Sequence, residues 1–390
     1  MRTRTGIERL AEDPRQWPLG KRLGLLANPA SVDGRLRHTA WRINDIFPGR
    51  LTTLLSPQHG FFAEKQDNMI PSADTVDPVL QLPVYSLYGE TRRPTGAMLD
   101  DIDTLLIDLQ DVGTRVYTFI YTMAYCLEAA ARRDLPVVVL DRPNPVSGKI
   151  LEGNLLIPEY ASFVGRYPIP MRHGLTIGEL ARLFNDRFGI NCRLTVVPME
   201  NWQRSRFFAD TGLPWVAPSP NLPTPVSALV YPGQVIWEGT NVSEGRGTTQ
   251  PFEMFGAPFI DPYRLARAEE LADLPGVILR PVVFEPTWNK WQGQSCRGFQ
   301  LHLTDPHQYR PLTVSLRLLR AVMRLYPEDF AWRPPPYEYE YEKLPIDLIC
   351  GDAAVRRHLE AMESEAALTA GWAEELARFQ AESRPYHLYP

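Results

Sequence analysis

The sequence predicts an α/β protein: a Rossmann-like parallel-sheet domain over residues 1–210, then a smaller α+β domain over 211–390, with an active-site cleft between them. Three observations lead there. Short, nearly all-apolar runs alternate with amphipathic segments through the first half, the pattern of a parallel sheet covered on both faces. The chain has 390 residues, more than one core fills, since single cores stop growing at roughly 250–300 residues. The second half then changes character, opening on a Pro- and Gly-rich stretch over 215–260.

The elements follow in order. "KRLGLLANPA" carries a strand at 22–27, and "DGRLRHTAWRINDIF" has helical spacing. "LTTLLSP", "LPVYSLYG", "DTLLIDLQD" and "LPVVVLDRPNP" are four further strands, the last two separated by the helix of "VYTFIYTMAYCLEAAARRD". "LTIGELARLFNDRF" is a helix with Thr176 as N-cap and Glu179 three residues on, a capping box. "CRLTVVPM" closes the series as a strand. The segment 215–260 shows little periodicity but holds Trp215, Tyr231, Trp237, Phe252 and Phe255, and an aromatic-rich irregular segment in a compact chain is more often functional than disordered. After it come the strands "GVILRPVVFEP" and "GFQLHLTD" and the helices "LTVSLRLLRAVMRLYP" and "EAALTAGWAEELARFQAES".

Composition narrows the function. A net charge of −5 offers no clustered basic face, so no nucleic-acid partner is expected. No apolar run approaches the ~18 residues of a membrane span, and "MRTRTGIERLAEDPRQW" has no apolar leader core. The expected setting is the cytoplasm, with no membrane partner, or the periplasm or exterior if a leader has been removed. Cys126, Cys192, Cys296 and Cys350 lie far apart in sequence, which reads as buried thiols and not a disulfide framework.

No GxGxxG follows the first strand, where "LLANPAS" stands, and no P-loop or GxSxG elbow occurs. No cofactor is expected. With no HxxxH or His-rich tract, no metal is expected either.

In parallel sheets ligands sit beyond the carboxyl ends of the strands. Gln58 and His59 follow the second strand; Asp108, Gln110, Asp111, Arg115 and Tyr117 follow the fourth; Asp141, Arg142 and Asn144 follow the fifth. As single residues these are equally readable as caps and loop hydrogen bonds. Glu238, in "VIWEGTN" beside Trp237, is the leading candidate for a general acid, because a carboxyl against an apolar face is harder to ionise; an ion pair with Arg246 or Arg115 is the competing reading. Glu64, Glu244 and Glu253 are further acids. Tyr85, Tyr88, Tyr117 and Trp237 are each a sugar-facing ring or core.

Seven stretches, "LLSPQHGFFAEKQD", "LPVYSLYGETRRPTGAML", "IDLQDVGTRVYTFIYTM", "VLDRPNPVSG", "FVGRYPIPMRHGLTIGELA", "PSPNLPT" and "EGTNVSEGRGTTQPFE", together resemble the NamZ-type exo-β-N-acetylmuramidases, from about residue 20 to the C-terminus. The resemblance implies a glycoside hydrolase of cell-wall recycling that releases N-acetylmuramic acid from the non-reducing end of small peptidoglycan fragments, with its site between a Rossmann-like domain and a second one. The implied partner is a muropeptide or a disaccharide of N-acetylmuramic acid and N-acetylglucosamine. Glu238 matches the family's EGTN position.

One departure stands out. The family's tetrapeptide after the second strand is Pro-Glu-His-Gly; here it is Pro57-Gln58-His59-Gly60, and an amide cannot exchange a proton as a carboxyl does. On this reading Glu238 is the acid, and Glu64, or the sugar's own 2-acetamido group, acts on the opposite face. Gln58 would orient the acetamido and His59 would orient neighbours. Asp111 is a reserve carboxylate. Arg115, Arg142 and Arg246 are candidates to grip the lactyl carboxylate, with Tyr117, Asn144, Asn221 and Asn241 completing the sugar contacts. The alternatives are a catalytically altered or inactive saccharide-binding member, and a hydrolase of another small glycoside.

Overall fold

The computed structural model describes residues 1–67 and 69–390. Its strands are β1 (Leu23–Ala27), β2 (Leu51–Ser56), β3 (Thr75–Val76), β4 (Pro83–Ser86), β5 (Thr104–Asp108), β6 (Val137–Leu140), β7 (Glu152–Leu155), β8 (Pro170–Arg172), β9 (Leu194–Val197), β10 (Met254–Ala257), β11 (Val277–Phe284) and β12 (Cys296–Leu303). Seven of them form one sheet in the order β3-β4-β2-β1-β5-β6-β9, parallel throughout except where short β3 runs antiparallel to β4.

Alternation along each strand explains why these runs are apolar end to end. Leu23, Leu25, Leu106, Val138 and Leu140 point to one face, onto Ile7, Leu10, Ala40 and Ile43. Leu26, Leu105, Ile107, Val137 and Val139 point to the other, onto Ile120, Ala124, Leu127 and Leu180. Both faces are covered by helices, so neither can carry the polar half of a period-two pattern. The capping box of the helix Ile177–Arg187 forms as read: the Glu179 amide donates to the Thr176 hydroxyl at 3.2 Å and the Thr176 amide to the Glu179 carboxylate at 3.0 Å.

Three segments depart from the sequence reading. The helix expected to start near residue 33 covers only Thr39–Ile46. Ahead of it Asp33 turns the chain, its carboxylate accepting the amides of Arg35 and Arg37 at 2.9 and 3.0 Å, and this local competition defeats the helix. The irregular stretch 215–260 contains a helix, Pro225–Gln234, and the strand β10. Pro225 sits in its first turn, where no amide is needed, and the Thr224 hydroxyl caps it by accepting the Ser227 amide at 2.9 Å. The last helical segment is two helices, Glu365–Ala370 and Trp372–Ser383, meeting at Gly371.

In the second half β10, β12 and β11 make a small antiparallel sheet, and the helix Pro311–Leu325 lies against the helix Pro225–Gln234. The chain then returns to the large sheet. The Tyr389 hydroxyl donates to Asp141 just past β6 and accepts the Met199 amide. The Arg204 amide donates to the Pro390 carbonyl at 3.0 Å, and the Leu388 amide to Glu179 at 2.9 Å. Among the described residues no helix is long and apolar enough to cross a membrane.

Candidate active site

The loops that follow β2 and β5 meet the second half of the chain around a cavity. The first half supplies Gln58, His59, Tyr117, Thr118, Phe119 and Val164; the second supplies Ser219, Asn221, Tyr231, Glu238, Arg246, Phe252, Tyr337 and Glu338. The rings of Tyr117, Tyr231 and Phe252 line one wall edge to face, with centroids 6.1 and 4.8 Å apart.

Two carboxylates face this cavity, and their surroundings differ. Glu238 is 3% exposed. Arg246 donates to its Oε1 at 2.7 Å and the Tyr337 hydroxyl to its Oε2 at 2.7 Å. Arg246 also faces Glu244, whose Oε1 lies 3.2 Å from its Nε. The Glu244 carboxyl is held below the usual range: burial opposes this, and the charges of Lys290 and Arg246 overcome it. The Nη1 of Arg246 is buried and meets no acceptor among the described residues.

Glu338 is 5% exposed, and no basic side chain forms an ion pair with it among the described residues. The Tyr88 hydroxyl donates to its Oε2 at 2.7 Å and the Gln58 amide to its Oε1 at 3.1 Å. Burial pushes its pKa up to about 7; the two hydrogen bonds oppose the shift and the nearby charge of Glu238 adds to it. The backbone that delivers it is unusual. Tyr337 and Glu340 exchange both backbone hydrogen bonds at 2.9 Å, and the two residues between them have φ of 45° (Glu338) and 69° (Tyr339). That is a two-residue turn of the I′ kind, in which Asn-Gly is the usual occupant.

His59 donates from Nδ1 to the Lys65 carbonyl at 2.8 Å, which leaves Nε2 as an acceptor. Burial pushes its pKa down to about 4, so the imidazole is neutral near pH 7. It orients its own loop and carries no charge into the cavity.

The structure therefore brings together Gln58, His59, Tyr117, Asn221, Glu238 and Arg246 from the residues expected at the site. Asn221 donates to the Gln66 carbonyl at 2.7 Å, tying the loop after β2 to the second half. Gln58, expected to orient an acetamido group, accepts at its carbonyl from Thr118 at 2.7 Å and holds Glu338 through its amide. Trp237 does not make the apolar face expected beside the Glu238 carboxyl: its ring stacks on Phe255 at 4.8 Å, and its indole donates to Gln234.

Other expected site residues lie elsewhere, each for a physical reason. Glu64 is exposed, its carboxylate lying over Gly60, 2.5 Å from where a Cβ would stand. Asp111 accepts the Gly113 amide at 2.7 Å and lies 3.3 Å from His173; it shapes its own loop. Arg115 is fully buried and donates to four backbone carbonyls, those of Asn154, Ile169, Ile349 and Cys350, at 2.6–3.2 Å. Arg142 pairs with Asp108 and donates to the Val32 carbonyl. Asn144 donates to the Leu175 carbonyl and accepts the Val146 amide. Asn241 donates to the Asp329 carbonyl and accepts the Ala331 amide. Glu253 accepts from Thr224. Among the described residues no three His, Cys, Asp or Glu side chains gather as metal ligands would.

The sequence reading missed Glu338, Tyr337, Phe252 as a wall of the site, and Lys290. "YEYEYE" at 337–342 reads as a solvated alternation, and only Tyr337 and Glu338 of its six residues are buried.

The model described as exo-β-N-acetylmuramidase NamZ, N-terminal, matches residues 23–226, and that of the C-terminal part matches 229–389. The peptidoglycan β-N-acetylmuramidase NamZ of Bacillus subtilis (strain 168) is 43% identical over 390 residues, covering 100% of this chain and 92% of that protein. Two solved structures of DUF1343 family proteins from Bacteroides fragilis share the fold. One has a TM-score of 0.89 at 34% identity, the other 0.77 at 28%, and each comparison covers 100% of this chain and 99% of the other.

Proposed function

The chain belongs to the exo-β-N-acetylmuramidase NamZ family, and on that premise we propose that it is a glycoside hydrolase releasing N-acetylmuramic acid from the non-reducing end of small peptidoglycan fragments. The carrying observation is the pair of buried glutamates, Glu238 and Glu338, that reach one cavity from separate elements. Glycoside hydrolysis through an oxocarbenium-like transition state uses two carboxyl groups in unlike environments. We divide the chain near residue 210, with the cavity between the two parts.

Glu238, half of a buried ion pair with Arg246, brings a negative charge to the reacting carbon. Arg246 has a further role. Its buried Nη1 offers N–H groups that meet no acceptor among the described residues, and a desolvated guanidinium edge suits a carboxylate such as the lactyl group of muramic acid. This narrows three candidate arginines to one, because Arg115 and Arg142 are engaged elsewhere. Tyr117, Tyr231 and Phe252 supply the apolar wall for the sugar ring. The four cysteines are free and buried, which suits the reducing cytoplasm as the compartment.

The test is turnover of a chromogenic β-N-acetylmuraminide by the wild type and by Glu238→Gln. Release of the chromophore, reduced about 10²-fold or more in the variant, supports the reading. A wild type that binds the sugar without cleaving it overturns it.

A further inference from the structure

We propose that Glu338 is the proton donor to the leaving-group oxygen, and that Gln58 and Tyr88 are positioning residues that aim its carboxyl at the cavity. This rests on the hydrolase reading above and assigns a step within it.

The two carboxylates differ in what they can give. Glu238 faces a guanidinium and a phenol, and an adjacent cation favours the charged form of a carboxyl over the form that donates a proton. Glu338 is buried and forms no ion pair among the described residues; Arg92 acts on it only from beyond ion-pair distance. Its partners are two neutral donors that fix both oxygens, Tyr88 on Oε2 and Gln58 on Oε1. Gln58 is itself fixed, its carbonyl accepting from Thr118. Tyr88 is held from the other side, with Arg92 lying over the rings of Tyr88, Phe163 and Tyr339.

The backbone gives an independent indication. Two adjacent non-glycine residues sit at positive φ to bring this one carboxyl inward. Strain of that kind persists where the surroundings over-determine it, and it clusters at functional sites. A carboxyl needed only for solubility would not require it.

The Glu338 proton passes to the glycosidic oxygen while the C1–O bond breaks, and the bond's electron pair leaves on that oxygen. The new Glu338 carboxylate is stabilised by the Tyr88 and Gln58 donors already in place. Water then supplies the hydroxyl at C1, and its proton returns to Glu338. Position 58 thus serves the reaction through an amide that holds the acid, in place of a carboxyl of its own.

The experiment compares two leaving groups. Glu338→Gln is isosteric, and it is assayed on an aryl N-acetylmuraminide with a nitrophenol leaving group and on the disaccharide with N-acetylglucosamine as leaving group. Loss of a proton donor is expected to reduce kcat/KM on the disaccharide by about 10²–10⁴-fold and on the activated aryl glycoside by less than about ten-fold. Equal losses on both, or none on either, overturn the assignment while leaving the hydrolase reading intact. If the wild type cleaves neither substrate, the hydrolase reading fails and this assignment fails with it.

Tyr88→Phe tests the positioning. The ionisable groups around Glu338 are Tyr88, Arg92, Glu238, Tyr231 and Tyr337. Only the Tyr88 hydrogen bond is removed, and that bond favours the charged carboxylate, so the alkaline limb of kcat/KM should move to higher pH. An unmoved limb shows Tyr88 to be structural and overturns its positioning role.

Discussion

The ammonium of Lys290 lies 2.7 Å from the carboxylate of Glu244, directly behind the guanidinium that faces the cavity. Lys290 also donates to the carbonyls of Trp237 and Val242. Lys290, Glu244, Arg246 and Glu238 thus form a buried row of alternating charge. Without Lys290, Glu244 would draw Arg246 away from Glu238 and from the substrate. Lys290→Met is expected to destabilise by about 3–5 kcal/mol, the usual cost of breaking a buried pair by removing one partner. The double variant with Glu244→Gln should recover part of that loss. Urea unfolding of the two singles and the double measures the coupling, and strictly additive effects would contradict the arrangement.

Arg246→Lys keeps the charge and removes the planar fork. Titration calorimetry should show N-acetylmuramic acid binding about ten-fold more weakly, about 1.4 kcal/mol, with N-acetylglucosamine unaffected. The second sugar lacks only the lactyl ether that carries the carboxylate, so a parallel loss for both would remove Arg246 from carboxylate recognition.

Glu338 should make stability depend on pH. Its folded pKa is near 7, above the ordinary range. Between roughly pH 4.5 and 7 the folded state therefore holds a proton that the unfolded chain has released, and stability falls as pH rises through that window. Asp141, also pushed up by burial to about 7, acts in the same direction. Glu338→Gln should stabilise the fold at pH 8 by on the order of 1–3 kcal/mol, seen as a higher melting temperature, and change it little at pH 4. Melting curves at the two pH values decide it; a variant less stable at pH 8 contradicts the burial of an unpaired carboxyl.

Arg115→Ala should act on folding and not on sugar affinity. It strips hydrogen bonds from four buried carbonyls, each worth about 1–3 kcal/mol when left unmade. The expected outcome is a poorly folding protein whose folded fraction binds N-acetylmuramic acid normally. A well-folded variant with weakened binding would return Arg115 to the site.

How much of this could be read from the chain depends on the range of the signal. The strands were legible because burial on both faces leaves only apolar residues, as in Val137–Leu140, and the Thr176–Glu179 box because both partners lie within one turn. The helix at Pro225–Gln234 was hidden by its two prolines, one of which is favourable at a helix start. Of the candidate arginines, only Arg246 reaches the cavity. Sequence does not reveal whether a guanidinium meets carbonyls, as at Arg115, or a carboxylate. Glu338 was illegible for a sharper reason: its burial depends on a turn with two positive φ values, and neither Glu338 nor Tyr339 is a residue that advertises one.

The return of the C-terminal segment to the large sheet has a consequence for how the molecule comes apart. Asp141 and Glu179 belong to the first half, yet Tyr389 and Leu388 complete their hydrogen bonding. A fragment ending near residue 210 would keep a buried carboxyl stripped of its phenol, and the large sheet would lose its last strap. The halves are therefore expected to melt as one cooperative unit, and trimming the final three residues should lower the midpoint of that transition for the whole chain.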